Sequence, residues 1–189
     1  MSGKLRLKGA TSGYIELQAE AVANNSTLTI SNDGFGGGKI LQVLGVHKSD
    51  YISYNSSTEA DISGMSQAIT MSGASNKVLV IVDLAIGGNT YPNAFLKRGT
   101  TYLHQGDAAS GRIPVLGGGY TGSSYSSWYY GAWTLHKTFL DTPGSGTHTY
   151  KMAWAARGGT CYLNGTGYND ATHHPERTAS SLTLMEISA

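Results

Sequence analysis

The chain has 189 residues, 26 of them glycine, with a formal net charge of +1 and only 13% charged residues. A hydrophobic fraction of 40% with so little net charge excludes a disordered chain. The same balance argues against nucleic acid or an anionic membrane as the main partner, because both require a basic patch.

Cysteines and apolar runs limit how the chain is stabilised and where it is made. Cys161 is the only cysteine, so no intrachain disulfide can form. The sequence has no apolar run of transmembrane length and no signal-peptide core at its amino terminus. We therefore expect synthesis in a cytoplasm, no membrane insertion and no export by a standard route.

Residues 1–31 contain three short stretches in which apolar and polar side chains alternate, separated by glycine and asparagine. Period-two alternation predicts short β-strands. The unit has too few large apolar groups for a core of its own, so we expect it to attach to another chain or another protein. Its candidate attachment residues are Leu5, Leu7, Tyr14, Leu17, Leu28 and Ile30.

Residues 32–38 form a glycine-rich joint before the second unit, residues 39–189. In that unit, glycine-rich turns separate the candidate strands, and no segment shows helical periodicity. This pattern predicts an all-β antiparallel sandwich with the proportions of a jelly roll, a fold that often forms closed symmetric assemblies. The candidate strands span residues 40–47, 51–54, 66–71, 78–86, 94–98, 101–105, 128–140, 148–155, 160–163 and 181–187.

The most strand-like stretch is residues 78–86, which begins with five consecutive apolar residues, four of them β-branched. Such a run between glycine-containing turns predicts a fully buried interior strand. Asp83 interrupts the run. Because a buried, unpaired carboxylate would be too costly, we expect Asp83 on the solvent face or at a strand edge.

Residues 117–131, GGGYTGSSYSSWYYG, set five aromatic residues among glycine and serine. This composition is typical of binding loops, where aromatic rings supply contact area and small residues supply adaptability. We expect the loop to contact a host-surface glycan or protein, or else to begin a strand that packs against a neighbouring subunit. The aromatic residues are Tyr120, Tyr125, Trp128, Tyr129 and Tyr130.

Recognisable catalytic and metal-binding motifs are missing from the sequence. None of the six histidines has a second ligand at the spacing of a zinc site, and no G-x-S-x-G elbow occurs. Residues 170–176, DATHHPE, either hold a cation or form a polar loop. We expect a non-enzymatic protein without metal or cofactor, with a hydrolase whose carboxylates meet only in space as an alternative.

Three segments together resemble virion proteins of tailed bacteriophages. Residues 5–30, LRLKGATSGYIELQAEAVANNSTLTI, resemble a short module that precedes many phage fibre and appendage domains. Residues 38–43, GKILQV, follow a glycine run as in those proteins, and residues 182–187, LTLMEI, resemble their closing strand. The sequence departs from the module's usual proline steps at residues 19–20 and 30–31.

The resemblance implies a homotrimer with a complement- or tumour-necrosis-factor-like jelly-roll head. It implies a place on the virion surface, after synthesis in the host bacterial cytoplasm, with the amino-terminal module contacting other virion proteins. Capsid decoration (cement) protein and short fibre with a host-binding head are both open. A free carbohydrate-binding lectin is the alternative, which would explain the aromatic residues but not the amino-terminal module.

Overall fold

A computed structural model describes residues 4–8, 14–18, 39–88, 91–119, 132–167 and 177–189. The chain divides into two compact units, Met1–Gly36 and Gly37–Ala189. The division lies within the glycine-rich residues 32–38. The described residues form strands, turns and irregular segments, and none of them is helical.

The first unit contains one antiparallel pair of strands, β1 (Lys4–Lys8) and β2 (Tyr14–Gln18). Their register places Leu5 opposite Leu17 and Tyr14 opposite Lys8. These strands coincide with the first two stretches of alternation in the sequence. The third stretch, with Leu28 and Ile30, lies outside the described residues.

The second unit contributes eleven more strands, which fall into two antiparallel sheets. They are β3 (Ile40–Lys48), β4 (Ile52–Tyr54), β5 (Ala60–Met71), β6 (Lys77–Gly88), β7 (Tyr91–Arg98), β8 (Thr101–Leu103), β9 (Gly117–Gly118), β10 (Ala132–Asp141), β11 (Gly146–Arg157), β12 (Cys161–Leu163) and β13 (Ser180–Ile187).

The pairing of the long strands is nested along the chain. The pair furthest apart in sequence is β3 with β13, and inside it lie β5 with β11, β6 with β10, and β7 with β8. The first sheet runs β3–β13–β6–β10, with β12 and β4 continuing from the far end of β6. The second sheet runs β5–β11–β7–β8, with β9 on β7. The prediction of an all-β antiparallel sandwich is confirmed.

The core lies between the two sheets, and β6 is at its centre. Val78, Val80 and Val82 are fully buried, whereas Leu79 and Ile81 are only partly covered. Alternation along a strand explains this, since successive side chains point to opposite faces. The apolar run 78–82 is therefore buried on one face only within a single chain, which differs from the fully buried strand that the sequence predicts.

β5 begins six residues earlier than its predicted start at residue 66. Its pairing with β11 shifts register between Lys151 and Ala153, opposite a stretch where Gly64 adopts a φ of +78°. A bulge of this kind interrupts strict alternation and bends the strand. The irregularity explains why residues 60–65 carry no strand pattern in the sequence.

A buried carboxylate fastens the two sheets at one end of the sandwich. Glu186 on β13 is fully buried and accepts hydrogen bonds from Gln42 Nε2 (2.6 Å) and Asn76 Nδ2 (2.7 Å). It also accepts bonds from the backbone N–H and the hydroxyl of Ser72, at 2.7 and 2.8 Å. Burial alone would raise the pKa of Glu186, but these donors outweigh it and lower the pKa to about 2.

Candidate functional site

The aromatic loop predicted as a binding site lies outside the described residues. Tyr120, Tyr125, Trp128, Tyr129 and Tyr130 all belong to the gap between residues 119 and 132. The strand predicted over residues 128–140 is described as β10, from Ala132 onward. Contact of this loop with a host surface stays a prediction.

The predicted attachment residues are placed only in part. Leu5 and Leu7 lie on β1, and Tyr14 and Leu17 lie on β2, in one antiparallel pair. Leu28 and Ile30 lie outside the described residues, and so do residues 170–176, the candidate cation loop. The attachment role of the first unit stays a prediction.

The expected position of Asp83 is confirmed, since its side chain lies on the outer face of the first sheet with 41% exposure. Asp83 Oδ1 is 2.6 Å from His136 Nδ1 on the neighbouring strand. The two residues are directly opposite in the β6–β10 register. Asp83 is thus satisfied by a cross-strand partner at the surface.

The outer face of the first sheet carries an apolar surface that no other part of the second unit's described residues covers. Directly paired residues lie on the same side of an antiparallel sheet, so the register defines a row across four strands. That row consists of Val43, Met185, Leu79 and Leu140. Ile81 adds a second apolar position two residues along β6. We call these five residues the apolar face.

Large hydrophobic side chains on the apolar face are unusually exposed for a strand interior. Val43 is 54% exposed and Leu140 is 53% exposed. Just beside them, at the start of β3, Ile40 and Leu41 are also exposed. Contiguous apolar patches on a protein surface mark interaction sites, whereas scattered single residues do not.

Apart from Ile81, the next two rows along the sheet are small or polar and carry little charge. The first row is Gly45, Thr183, Ile81 and Thr138. The second is His47, Ser181, Asp83 and His136. The carboxylate in these rows already has a histidine as its hydrogen-bond partner, so a surface that covers them need not leave it without one.

The outer face of the second sheet is different, because it carries a charge network. Lys97 Nζ is 2.9 Å from Asp61 and also pairs with Glu59, and Lys151 Nζ is 2.6 Å from Asp61. Tyr102 donates its hydroxyl to Glu59 at 2.6 Å. The hydrogen bond from Lys151 is the main cause that lowers the pKa of Asp61, against the opposing effect of burial.

The described residues contain neither a cluster of metal ligands nor an activated thiol. Across the described ranges, no three His, Cys, Asp or Glu side chains cluster as metal ligands would. Cys161 is buried, and burial raises its pKa to about 12, so the thiol is not activated. No described helix is long and apolar enough to cross a membrane.

No protein-family model matches the sequence, and no curated protein matches it significantly. The surfaces of the molecule must therefore be interpreted from their own geometry.

The apolar face was not predicted as a site from the sequence, although a signal for it was present. A run in which both alternating sets of positions are apolar predicts burial on both faces of a strand. Residues 78–82 show that signal, and Leu79 and Ile81 are the two positions that remain only partly covered. The excess of apolar residues on β6 could have indicated a covered outer face.

Proposed function

We propose that this protein is a non-enzymatic structural component of a tailed-bacteriophage virion that works as a surface-exposed homotrimer. The observation that carries the proposal is the apolar face of the first sheet. Its occupant in this proposal is a second copy of the same chain.

The composition of the face supports self-association. Val43, Leu79 and Leu140 supply apolar area, and the adjoining rows add threonine, serine and an already paired carboxylate. A copy of the chain brings a net charge of only +1, so repulsion between copies is weak. Association would bury Leu79 and Ile81, which completes the two-sided burial that the β6 sequence predicts.

The nested strand pairing supports the finer assignment of the fold. Two Greek keys wound from one long hairpin give a jelly roll, in which the first long strand pairs with the last and the middle strands pair with each other. The pairs β3–β13, β5–β11, β6–β10 and β7–β8 have that order. A jelly-roll head on a short amino-terminal module fits either a capsid decoration protein or a short fibre with a host-binding head.

The proposal of a trimer is tested with the double variant Val43→Glu/Leu140→Glu of the full chain. Two carboxylates would be buried without partners in the interface, so we expect the trimer to dissociate to monomers. Light scattering at micromolar concentration measures the mass, and thermal unfolding checks that the fold is kept. A matched control, Ala68→Glu/Thr101→Glu, adds the same charge at exposed strand positions of the second sheet and should remain trimeric.

If light scattering gives the mass of a monomer or a dimer for the wild-type chain, the proposal of a trimer is wrong. Protease resistance of residues 1–36 that is lost in the Val43→Glu/Leu140→Glu variant would show that this segment covers the apolar face instead.

The virion assignment has its own test: an antibody against the chain should label intact phage particles. Particles that lack the chain would refute that part, and the copy number per labelled particle separates capsid decoration from tail fibre.

A further inference from the structure

A groove lies on the outer face of the second sheet, on the opposite side of the sandwich from the apolar face. Its floor is formed by Phe95 on β7 and Ala155 on β11. The segment between β8 and β9 forms one wall, and Val115 of that segment packs against the Phe95 cluster. Two hydrogen bonds hold the wall in place, Leu116 N–H to Ala94 O (2.9 Å) and Gln105 Nε2 to Pro114 O (2.9 Å).

The groove has two adjoining compartments, with cavity volumes of about 340 and 520 Å³. Asn93, Ile113 and Arg157 line both of them, so the compartments are continuous. Binding sites for small molecules typically have volumes of this order. The size therefore suits a short chain of sugar rings or a molecule of similar dimensions.

The larger compartment is cationic, and we call it the arginine end. Arg112 and Arg157 line it together with Tyr91 and Asn93, and none of its described lining residues is acidic. Arg112 sits at a tight turn, where its N–H bonds Ala109 O at 2.8 Å. Guanidinium groups present planar forks of donors that match a carboxylate.

The smaller compartment is polar and aromatic. The Tyr102 ring is 45% exposed, and its hydroxyl donates to Glu59. Glu59 is also paired with Lys97, so its carboxylate can accept hydrogen bonds without standing as an isolated charge. Gln105 lines the same compartment. Acceptors and amides of this kind suit hydroxyl groups of a ligand.

Exposed tyrosine rings stand in both compartments. Tyr91 is 52% exposed at the arginine end, and Tyr102 lies in the smaller compartment. An aromatic ring offers a flat apolar surface with a polar tip, against which the C–H face of a pyranose packs. Two arginine side chains, ring surfaces and amides are together the chemistry that recognises an acidic sugar.

We propose that this groove binds a saccharide bearing a carboxylate, with the acid group at the arginine end and sugar rings on Tyr91 and Tyr102. The site is separate from the apolar face, so the inference stands whether or not the chain forms trimers.

Calorimetric titration of the full chain with trigalacturonate tests the proposal. The fully methyl-esterified trisaccharide, which carries no charge, serves as the comparison ligand. We expect the acid to bind at least about tenfold more tightly than the ester, because the ester removes charge-assisted hydrogen bonds. The variant Arg112→Gln/Arg157→Gln should lose at least about tenfold in affinity for the acid and little for the ester. Tyr91→Ala should weaken both, whereas Tyr91→Phe keeps the ring and should retain binding.

The control variant Lys39→Gln/Lys77→Gln removes the same charge at exposed positions of the first sheet and should bind like the wild type. Thermal unfolding of each variant verifies that the fold is intact. No binding of trigalacturonate, or equal binding of acid and ester, would overturn the proposal. A triglutamate peptide that binds as tightly as trigalacturonate would also overturn it, since the groove would then recognise acidic peptides.

Discussion

The two sheets of the sandwich share one core but differ in where they place charge. The first sheet carries the apolar face on its outer side, and a polar cluster around Glu186 is buried at one end of it. The second sheet carries a charge network on its outer face, formed by Lys97, Glu59, Asp61 and Lys151. Another of its ion pairs is largely covered and joins Arg98 to Asp141 of the first sheet. Water can stabilise the second face unaided, whereas the first face gains from being covered. We therefore propose that one sheet serves self-association and the other serves ligand contact.

The largest effect is expected at the buried carboxylate. Glu186→Gln keeps the shape but removes the charge. Its amide nitrogen faces a donor in either orientation, Gln42 Nε2 in one and Asn76 Nδ2 with Ser72 N–H in the other. Buried donors then lose their acceptor, so we expect a loss of about 2 kcal/mol in the free energy of unfolding. Urea denaturation measures the loss. If the variant loses no more unfolding free energy than the removal of a surface ion pair costs, Glu186 is not effectively buried.

The same carboxylate makes stability depend on pH. The pKa of Glu186 is lowered from an ordinary 4.5 to about 2 in the folded protein. A group with a depressed folded pKa contributes stability that is complete above the unfolded value and is lost as pH falls through the folded value. Stability should therefore decline between about pH 4.5 and pH 2. Urea midpoints measured across this range should show a smaller decline in Glu186→Gln than in the wild type.

A smaller effect is expected on the outer face of the second sheet. Asp61→Asn removes one member of the network, but Asp61 is 47% exposed, and Lys97 retains Glu59 as a partner. We expect a loss of no more than about 1 kcal/mol, which high salt should diminish further. Unfolding free energies at low and high ionic strength check this. A large, salt-independent loss would contradict the contrast between the two sheets.

Much of the fold was predictable because its information is local. Ten strands were expected in the second unit, and each overlaps an observed strand, since alternation and glycine-rich turns are visible along the chain. The early part of β5 was missed because it is defined by pairing with β11 across a bulge at Gly64. The two-residue strand β9 was missed for a related reason, since Gly117 and Gly118 are assigned only by contact with β7.

The sites were harder to predict because they are assembled across strands. Val43, Leu79 and Leu140 are far apart in sequence, and only the register brings them into one row. Arg112 and Arg157 likewise line one compartment only because the segment between β8 and β9 lies over the second sheet. Spacing along the chain carries no signal for either surface. The clearest signal for the apolar face was the composition of residues 78–82, which are apolar at both alternating sets of positions.

The nested pairing also governs how the chain reaches its structure. Ile40 begins the first long strand, yet its partner in the sheet is Ile187. Closing so long a loop costs conformational entropy, and the chain loses this entropy before the core contacts stabilise it. Pairing between residues so far apart therefore slows folding. During synthesis, the edges of β3 and β6 that pair with β13 remain unpaired until β13 has been made. These apolar edges can then pair with other chains. We therefore expect the risk of aggregation to be highest before residues 180–187 leave the ribosome, which is when a chaperone would protect the chain most.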